Sequence, residues 1–386
     1  MVTDDVVRRL AARCHQAGEC RCLSCHRHNF EMASFVETFF RVAVPEYFRY
    51  AFFIEGGALA VENAIKAAVD WKVQKNFQKG VSKERYSDGL GKQVIHCESF
   101  HGRSGYTVSL TDSADPNKTR YFAKFEWPRI VNPKVTFPLE GRHLEEVIAK
   151  EKEDWSDRGK RCGGTPTTSP ASSSSRIQGE GGDNHFRTEF FQELRRLADS
   201  HEFLLIFDEA DRPGLTGRMW AHQHHGSESD PMSFGKKTQV CGILAGPRLI
   251  EIESNVFHVP SRINSTRGGN LLDMVRCQLY LEIYEEENLV QQAATTGEHL
   301  LGRLHEMAAE FEGIIENVRG QGLFCAFDLT DRIDRKTLIR TAYEEGLVIL
   351  PSGRKGLRFR PPLSIEIPVL EEGLNRLQTA LRRVLG

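Results

Sequence analysis

The chain has 386 residues, 40% hydrophobic and 27% charged, with a formal net charge of -2, a balance that suits a soluble globular protein and gives no general attraction to nucleic acid or anionic lipid. A single core stops growing near about 250–300 residues, so two domains are expected. No apolar run approaches the roughly 18–20 residues that span a bilayer, and Met1 leads into VTDDVVRRL without a signal-like apolar core; no membrane or nucleic-acid partner is expected, and the cytoplasm is the expected compartment.

Four of the nine cysteines, Cys14, Cys20, Cys22 and Cys25, crowd the N-terminus beside His15, His26 and His28. Cys22-x-x-Cys25 has zinc-ligand spacing, but no second pair of ligands completes it. Residues 1–29 are therefore expected to be a poorly ordered, cysteine-rich terminus with free thiols and no metal. From Phe30 to Phe40, apolar residues recur at helical spacing until Pro45 ends the pattern. A short apolar strand, Ala51 to Ile54, then meets Gly56-Gly57 and a helical pattern from Leu59 to about Asn76. Strand, glycine turn and helix N-terminus present free N–H groups and a positive dipole end, which suit a phosphate, although such turns also occur without a ligand.

Gln93 to Cys97 reads as a buried strand that exits into Phe100, His101, Gly102 and Arg103. An aromatic there can stack on a flat ring and an arginine can clasp a carboxylate, or both can be ordinary packing and surface charge. KFEWPRIVNPKVTFP reads as an extended surface loop, and Gly141 to Asp157 as an amphipathic helix. The stretch RCGGTPTTSPASSSSRIQGEGGD has the composition of a flexible linker. A helix pattern from Phe186 to Ser200 precedes the buried run EFLLIFDEA, which ends in Asp208 and Glu209. The lysine pair of SFGKKTQVCG follows about 30 residues later, where an acid and a lysine at a strand's carboxyl end suit a cationic heterocycle. The alternative is an acid that caps a turn and two solvated lysines. A long helical pattern from Leu271 to Leu289 leads into alternating helices and strands that form a compact α/β unit to the C-terminus.

EGGALAVENAIKAA, FHGRSGYTVSLT, IQGEGGDNHFR, LLIFDE, GLTG, FGKKTQVCG, VPSRINSTRGGN and LRFRPPL occur in the order found in class III pyridoxal-phosphate aminotransferases, and from about Phe30 onward the chain resembles that family. The wording is most similar to the branch that acts on the terminal amine of L-lysine, with the ornithine and 4-aminobutyrate branches as alternatives. The resemblance implies an α/β type I fold: a large cofactor-binding domain (30–275) with a mainly parallel seven-stranded sheet flanked by helices, and a smaller C-terminal α/β domain (276–386). It implies pyridoxal 5'-phosphate as cofactor, 2-oxoglutarate as amine acceptor and a homodimer with shared active sites. Lys237 resembles the lysine that binds the cofactor, its spacing to Gly242 favouring it over Lys236, and Asp208 resembles the partner of the pyridine nitrogen. Gly57 and Ala58 match the phosphate turn, Phe100 the stacking aromatic, and Thr266 the residue that reaches the phosphate from the partner subunit. Arg103 and Arg358 resemble carboxylate clamps, with Asn264 in the same pocket.

Three departures stand out. Ser175 occupies the place of a glutamate expected to gate Arg358, which implies an ungated arginine, and Thr167 to Ser175 has no apolar residue beyond Ala171, which argues against the central strand the fold needs there. The turn after Asp208 is one residue short, and neither Asp211 nor Arg212 replaces a cofactor-contacting glutamine. The family's N-terminal segment, which lines the substrate entrance, is replaced by the cysteine-rich stretch. The first two suggest the hypothesis of paired frameshifts, since a family-like segment read one nucleotide late yields TTSPASSSSR; an in-frame gene sequence without compensating insertions or deletions would remove it. Such changes leave an impaired or degenerate relative as the alternative to an active enzyme.

Overall fold

Two sheets organise the computed structural model, which describes residues 30–81, 93–96, 98–162, 171–174, 177–209, 213–265 and 268–386. The cysteine cluster of 1–29 lies outside the described residues. Helix α1 (Phe30–Val42) buries Phe35 and Phe39 and leaves Phe30 exposed. Strand β1 (Tyr50–Ile54) is followed by Gly56 at φ 93, a left-handed turn that glycine adopts without penalty, and by helix α2 (Gly57–Gln78). The buried face of α2 carries Ala60, Ala64, Ala67 and Ala68, small side chains that let the helix lie close to the sheet, with Val61, Ile65 and Trp71 filling the remaining space.

The first sheet continues with β2 (Gln93–His96), β3 (Arg129–Ile130), β4 (Ala171–Ser174), β5 (Leu204–Asp208), β6 (Pro231–Phe234) and β7 (Cys241–Ala245), in the order β1-β7-β6-β5-β4-β2-β3. Pairings from β3 through β6 are parallel, and β7 runs antiparallel to both neighbours. This is the mainly parallel seven-stranded sheet the resemblance implied. Along β5, Leu204 and Ile206 pack with α2, while Leu205 and Phe207 face the cluster built around Phe39, Phe191 and Phe234. Both faces are covered, which is why this strand reads as an unbroken apolar run.

Two expectations are corrected here. The serine-rich stretch does supply the central strand: Ala171 to Ser174 pairs in parallel with β2 on one side and β5 on the other. Ladder bonds are made by backbone N–H and C=O groups, so a polar sequence between two well-formed neighbours can still take the slot. The supposed surface loop after Phe125 contributes β3, and its Ile130 and Val135 are buried.

Helices α3 (Thr107–Leu110), α4 (Gly141–Cys162) and α5 (Thr188–Ser200) lie in the crossovers, and α6 (Pro247–Ile250) follows β7. Helix α7 (Leu271–Glu286) packs on α1 and buries Met274, Cys277 and Leu281 in the first core. In the second core Ala293 and Leu300 of α8 (Leu289–Glu310), which starts after Asn288 at φ 50, cluster with Ile177 and Leu215 from earlier in the chain. Helix α7, which spans the boundary expected at 275/276, packs in the first core. Strands β8 (Ile315–Gln321), β9 (Phe324–Leu329), β10 (Leu350–Ser352) and β11 (Gly356–Phe359) form an antiparallel sheet in the order β10-β11-β9-β8. Helices α8, α9 (Arg335–Glu344) and α10 (Ile367–Leu385) cover it through Leu300, Leu338, Leu374 and Leu377.

Candidate active site

The carboxyl ends of β2 and β5, the start of α2 and the second sheet's β11 converge on a cleft of about 560 Å³. Its walls include Gly56, Gly57, Ala58, Phe100, Asp208 and Arg358, which the sequence had singled out or flanked, and Glu180, Lys236 and Arg360, which it had not assigned a role. Ligands bind at the ends of strands in open α/β sheets because the loops there leave a crevice.

Asp208 terminates β5 with a residue exposure of 8%. Its Oδ1 accepts from Ser233 Oγ at 3.1 Å and its Oδ2 accepts from His101 Nδ1 at 2.8 Å. The bond to Oδ2 places a proton on Nδ1. His101 Nε2 is buried without a hydrogen-bond partner among the described residues. The acid is thus oriented by a hydroxyl and an imidazole while lining the cleft, an arrangement that suits a cationic N–H in front of it. At the opposite wall, the first-turn N–H groups of α2 have no intrahelical acceptor and no acidic side chain shares that turn, so its positive end is available to an anion.

Lys236, rather than Lys237, lines the cleft. The spacing to Gly242 had favoured Lys237, but spacing does not capture how the turn curls. Gly235 is extended at φ 167, Lys236 and Gln239 both stand in the left-handed region at φ 52 and φ 63, and the 3-10 turn spans Lys236–Thr238. A Cβ at Gly235 would lie 2.7 Å from Cys241 Sγ, which leaves no room for a side chain there. Two left-handed non-glycine residues in one tight turn mark stored strain of the kind found where a side chain must be aimed. Cys241 lines the cleft, and burial pushes its thiol up from the ordinary range.

Phe100 borders the cleft with Lys118 Nζ 5.7 Å from its ring centroid. Lys118 also donates to Glu180 Oε1 at 2.6 Å, and Ser113 Oγ donates to the same oxygen. Arg358 is not left without an acid: its Nε donates to Asp183 Oδ2 at 2.9 Å and its Nη2 to Ser352 Oγ at 2.7 Å. The acid that meets Arg358 here thus stands eight positions after Ser175, in the glycine turn that follows it. Ser175, Asp211 and Arg212 lie outside the described residues, as does Thr266. Arg103 and Asn264 are exposed and are not brought into this chain's cleft. Glu180, Asp183 and Arg360 were missed although each lies in a quoted motif, because their roles depend on the second sheet closing over the first.

The donor set fits an anionic, aldehyde-bearing aromatic cation: an acid for ring N–H, a helix N-terminus for phosphate, an aromatic for the ring face and a lysine for the aldehyde. Among the described residues no group of His, Cys, Asp and Glu is arranged to hold a metal ion, and no helix is long and apolar enough to cross a membrane.

Comparison with known proteins places this geometry. The aminotransferase class-III profile matches residues 10–381, beginning inside the stretch set apart on composition. L-lysine-epsilon aminotransferase from Mycobacterium tuberculosis is 45% identical over 360 residues, covering 92% of this chain and 77% of that protein. Mitochondrial 4-aminobutyrate aminotransferase from Rattus norvegicus is 32% identical over 333 residues, covering 80% of this chain and 63% of that one. The solved structure of the lysine aminotransferase from M. tuberculosis superposes with a TM-score of 0.91 at 43% identity, over 98% of this chain and 85% of its own.

Proposed function

The chain belongs to the class-III aminotransferases, and from that premise we propose that it moves the terminal amine of L-lysine to 2-oxoglutarate, giving glutamate and 2-aminoadipate 6-semialdehyde, with pyridoxal 5'-phosphate as cofactor. Supporting the donor is the difference between 45% identity to relatives named for L-lysine and 32% to those named for 4-aminobutyrate. The observation that carries the chemistry is that Lys236 and Asp208 line one cleft together with the N-terminus of α2.

When bound, pyridoxal phosphate supplies an aldehyde that condenses with amines and a protonated ring that draws electrons from the substrate carbon. In this reading Asp208, oriented by His101 and Ser233, would hold the proton on the ring nitrogen. The N–H groups at Gly57 and Ala58 take the phosphate, and Phe100 covers one ring face. The Nζ of Lys236 would hold the aldehyde and is the group placed to carry a proton to and from the substrate carbon. Arg358 receives a substrate carboxylate, for which a planar guanidinium is better suited than an ammonium.

The same reading makes the enzyme a homodimer. Tyr121, Phe122 and Phe125 are 84%, 59% and 51% exposed, and Phe125 lines a groove along α2, apolar surface that a second copy would cover. Thr266 is proposed to reach the phosphate from that copy, and the exposed Arg103 and Asn264 to act in a cleft that both copies complete.

Glutamate formation from 2-oxoglutarate, measured in parallel with L-lysine, L-ornithine and 4-aminobutyrate, tests the proposal. L-Lysine is expected to give a kcat/KM at least about tenfold above the other two. A higher value for either rival would overturn the choice of donor, and no glutamate from any of them would point to a degenerate relative.

A further inference from the structure

Beside the cleft stands a lysine that the reaction as derived does not use. Lys118 ends a short 3-10 turn, Pro116–Lys118, in the crossover between β2 and β3. Pro116 presets the first φ of that turn, and Asp115 Oδ1 caps it by accepting from the Asn117 N–H at 3.0 Å. A side chain on so short and fixed a turn leaves the backbone from a fixed point.

From there the Lys118 Nζ reaches two of the cleft's lining residues at once. It donates to Glu180 Oε1 at 2.6 Å and lies 5.7 Å from the Phe100 ring centroid, within the range over which a ring face attracts a cation. Ser113 Oγ donates to the same Glu180 oxygen. The side chains of Lys118 and Glu180 are 32% and 29% exposed, so salt screens the pair only in part. Glu180 rides on the glycine turn that follows β4: the Gly353 N–H donates to its carbonyl at 3.1 Å, and Arg358 Nη2 donates to the neighbouring Gly179 carbonyl. The backbone of this acid is thus fixed beside Arg358, and the residue lines the cleft.

We propose that Lys118 is a specificity-determining residue: paired with Glu180, it offsets a carboxylate in the cleft wall that would otherwise repel the dianionic 2-oxo acid acceptor, an inference that rests on the transaminase reading. Whatever other charges the cleft holds, removing the Lys118 ammonium takes one positive charge from this wall and leaves Glu180 Oε1 with Ser113 alone. A dicarboxylate entering the cleft then meets an uncompensated negative charge. L-Lysine, which carries two ammonium groups to one carboxylate, is not repelled by it. The two substrates therefore respond to this ion pair in opposite senses.

The test compares the wild-type holoenzyme with Lys118→Met, Lys118→Arg, Glu180→Gln and the double variant Lys118→Met/Glu180→Gln. KM is read for both substrates, and glutarate, an unreactive dicarboxylate, is titrated calorimetrically at low and at high salt. Lys118→Met is expected to raise KM for 2-oxoglutarate and Kd for glutarate roughly fivefold or more without raising KM for L-lysine, and the rise should shrink at high salt. Lys118→Arg keeps the charge and should stay within about twofold of wild type for glutarate, and the double variant, which lacks both charges, should return to about that range. Glu180→Gln alone should tighten glutarate, so it carries the test if Lys118→Met does not fold. An unchanged Kd for glutarate in Lys118→Met, equal weakening of both substrates, weaker glutarate binding in Glu180→Gln, or no glutarate binding by wild type overturns the proposal. So does a double variant as weak as Lys118→Met, because the cation would then act without Glu180. A wild type whose glutarate binding depends on Lys118 in this way but which turns over no amine would sustain the inference while removing the transaminase reading.

Discussion

Glu151→Gln should flatten the pH dependence of stability. Glu151 sits fully buried on α4, the helix that packs behind β2 and β3 and so beneath the strand leading to Phe100 and His101. Burial pushes its carboxyl from 4.5 up to about 7, against the pull of Arg187, whose Nη1 donates to Oε2 at 3.1 Å, while Glu189 and Asp154 add repulsion. Its Oε1 has no hydrogen-bond partner among the described residues, which is why desolvation outweighs the single ion pair. The folded value lies above the unfolded one, so between pH 4.5 and about 7 the folded state keeps a proton that the unfolded state releases. Stability is therefore greatest below that window and falls as pH rises through it. A gap of 2.5 units, the difference between about 7 and 4.5, at about 1.4 kcal/mol per unit sets a ceiling of about 3.5 kcal/mol. Thermal melts of wild type and variant from pH 5 to 8 measure this. The wild-type midpoint should drop relative to the variant across the window and run parallel to it above; parallel curves throughout would refute the buried-carboxylate argument.

Two other substitutions probe the cleft. His101→Phe removes the donor to Asp208 Oδ2; a hydrogen bond to a charged group is worth about 1.5–3 kcal/mol, so the dissociation constant for pyridoxal phosphate, followed by fluorescence, should rise roughly 10–100-fold. Unchanged affinity would mean that the His101 bond does not set the acid's hold on the ring. Gly181→Ala forces a methyl to 2.0 Å from the Glu98 carbonyl oxygen, an overlap that only a backbone shift relieves; a loss of about 2 kcal/mol or more is expected in melting experiments, and a wild-type midpoint would show that the turn has slack.

Which features could be read from the chain follows from how local their causes are. Strand β5 and the glycine turn into α2 declare themselves because burial on both faces and a helix start are written in adjacent residues. Strand β4 does not, since its pairing depends on β2 and β5 presenting open backbone groups on either side, whatever side chains lie between them. Choosing between Lys236 and Lys237 required the left-handed turn, which a count of residues to Gly242 cannot reveal. His101 stood beside the residue singled out for stacking, yet its tie to Asp208 spans more than a hundred positions. The grip of Asp183 on Arg358 and Arg360 spans still more and exists only once the antiparallel sheet closes over the parallel one.

The central claim is that Lys236 and Asp208 form one working site, and the most direct measurement locates the covalent link. The purified protein is incubated with pyridoxal phosphate, reduced with borohydride, digested and mapped by mass spectrometry. The account predicts a single reduced adduct on Lys236, retained in Lys237→Ala and absent in Lys236→Ala. An adduct on Lys237, or none on either lysine, would contradict it.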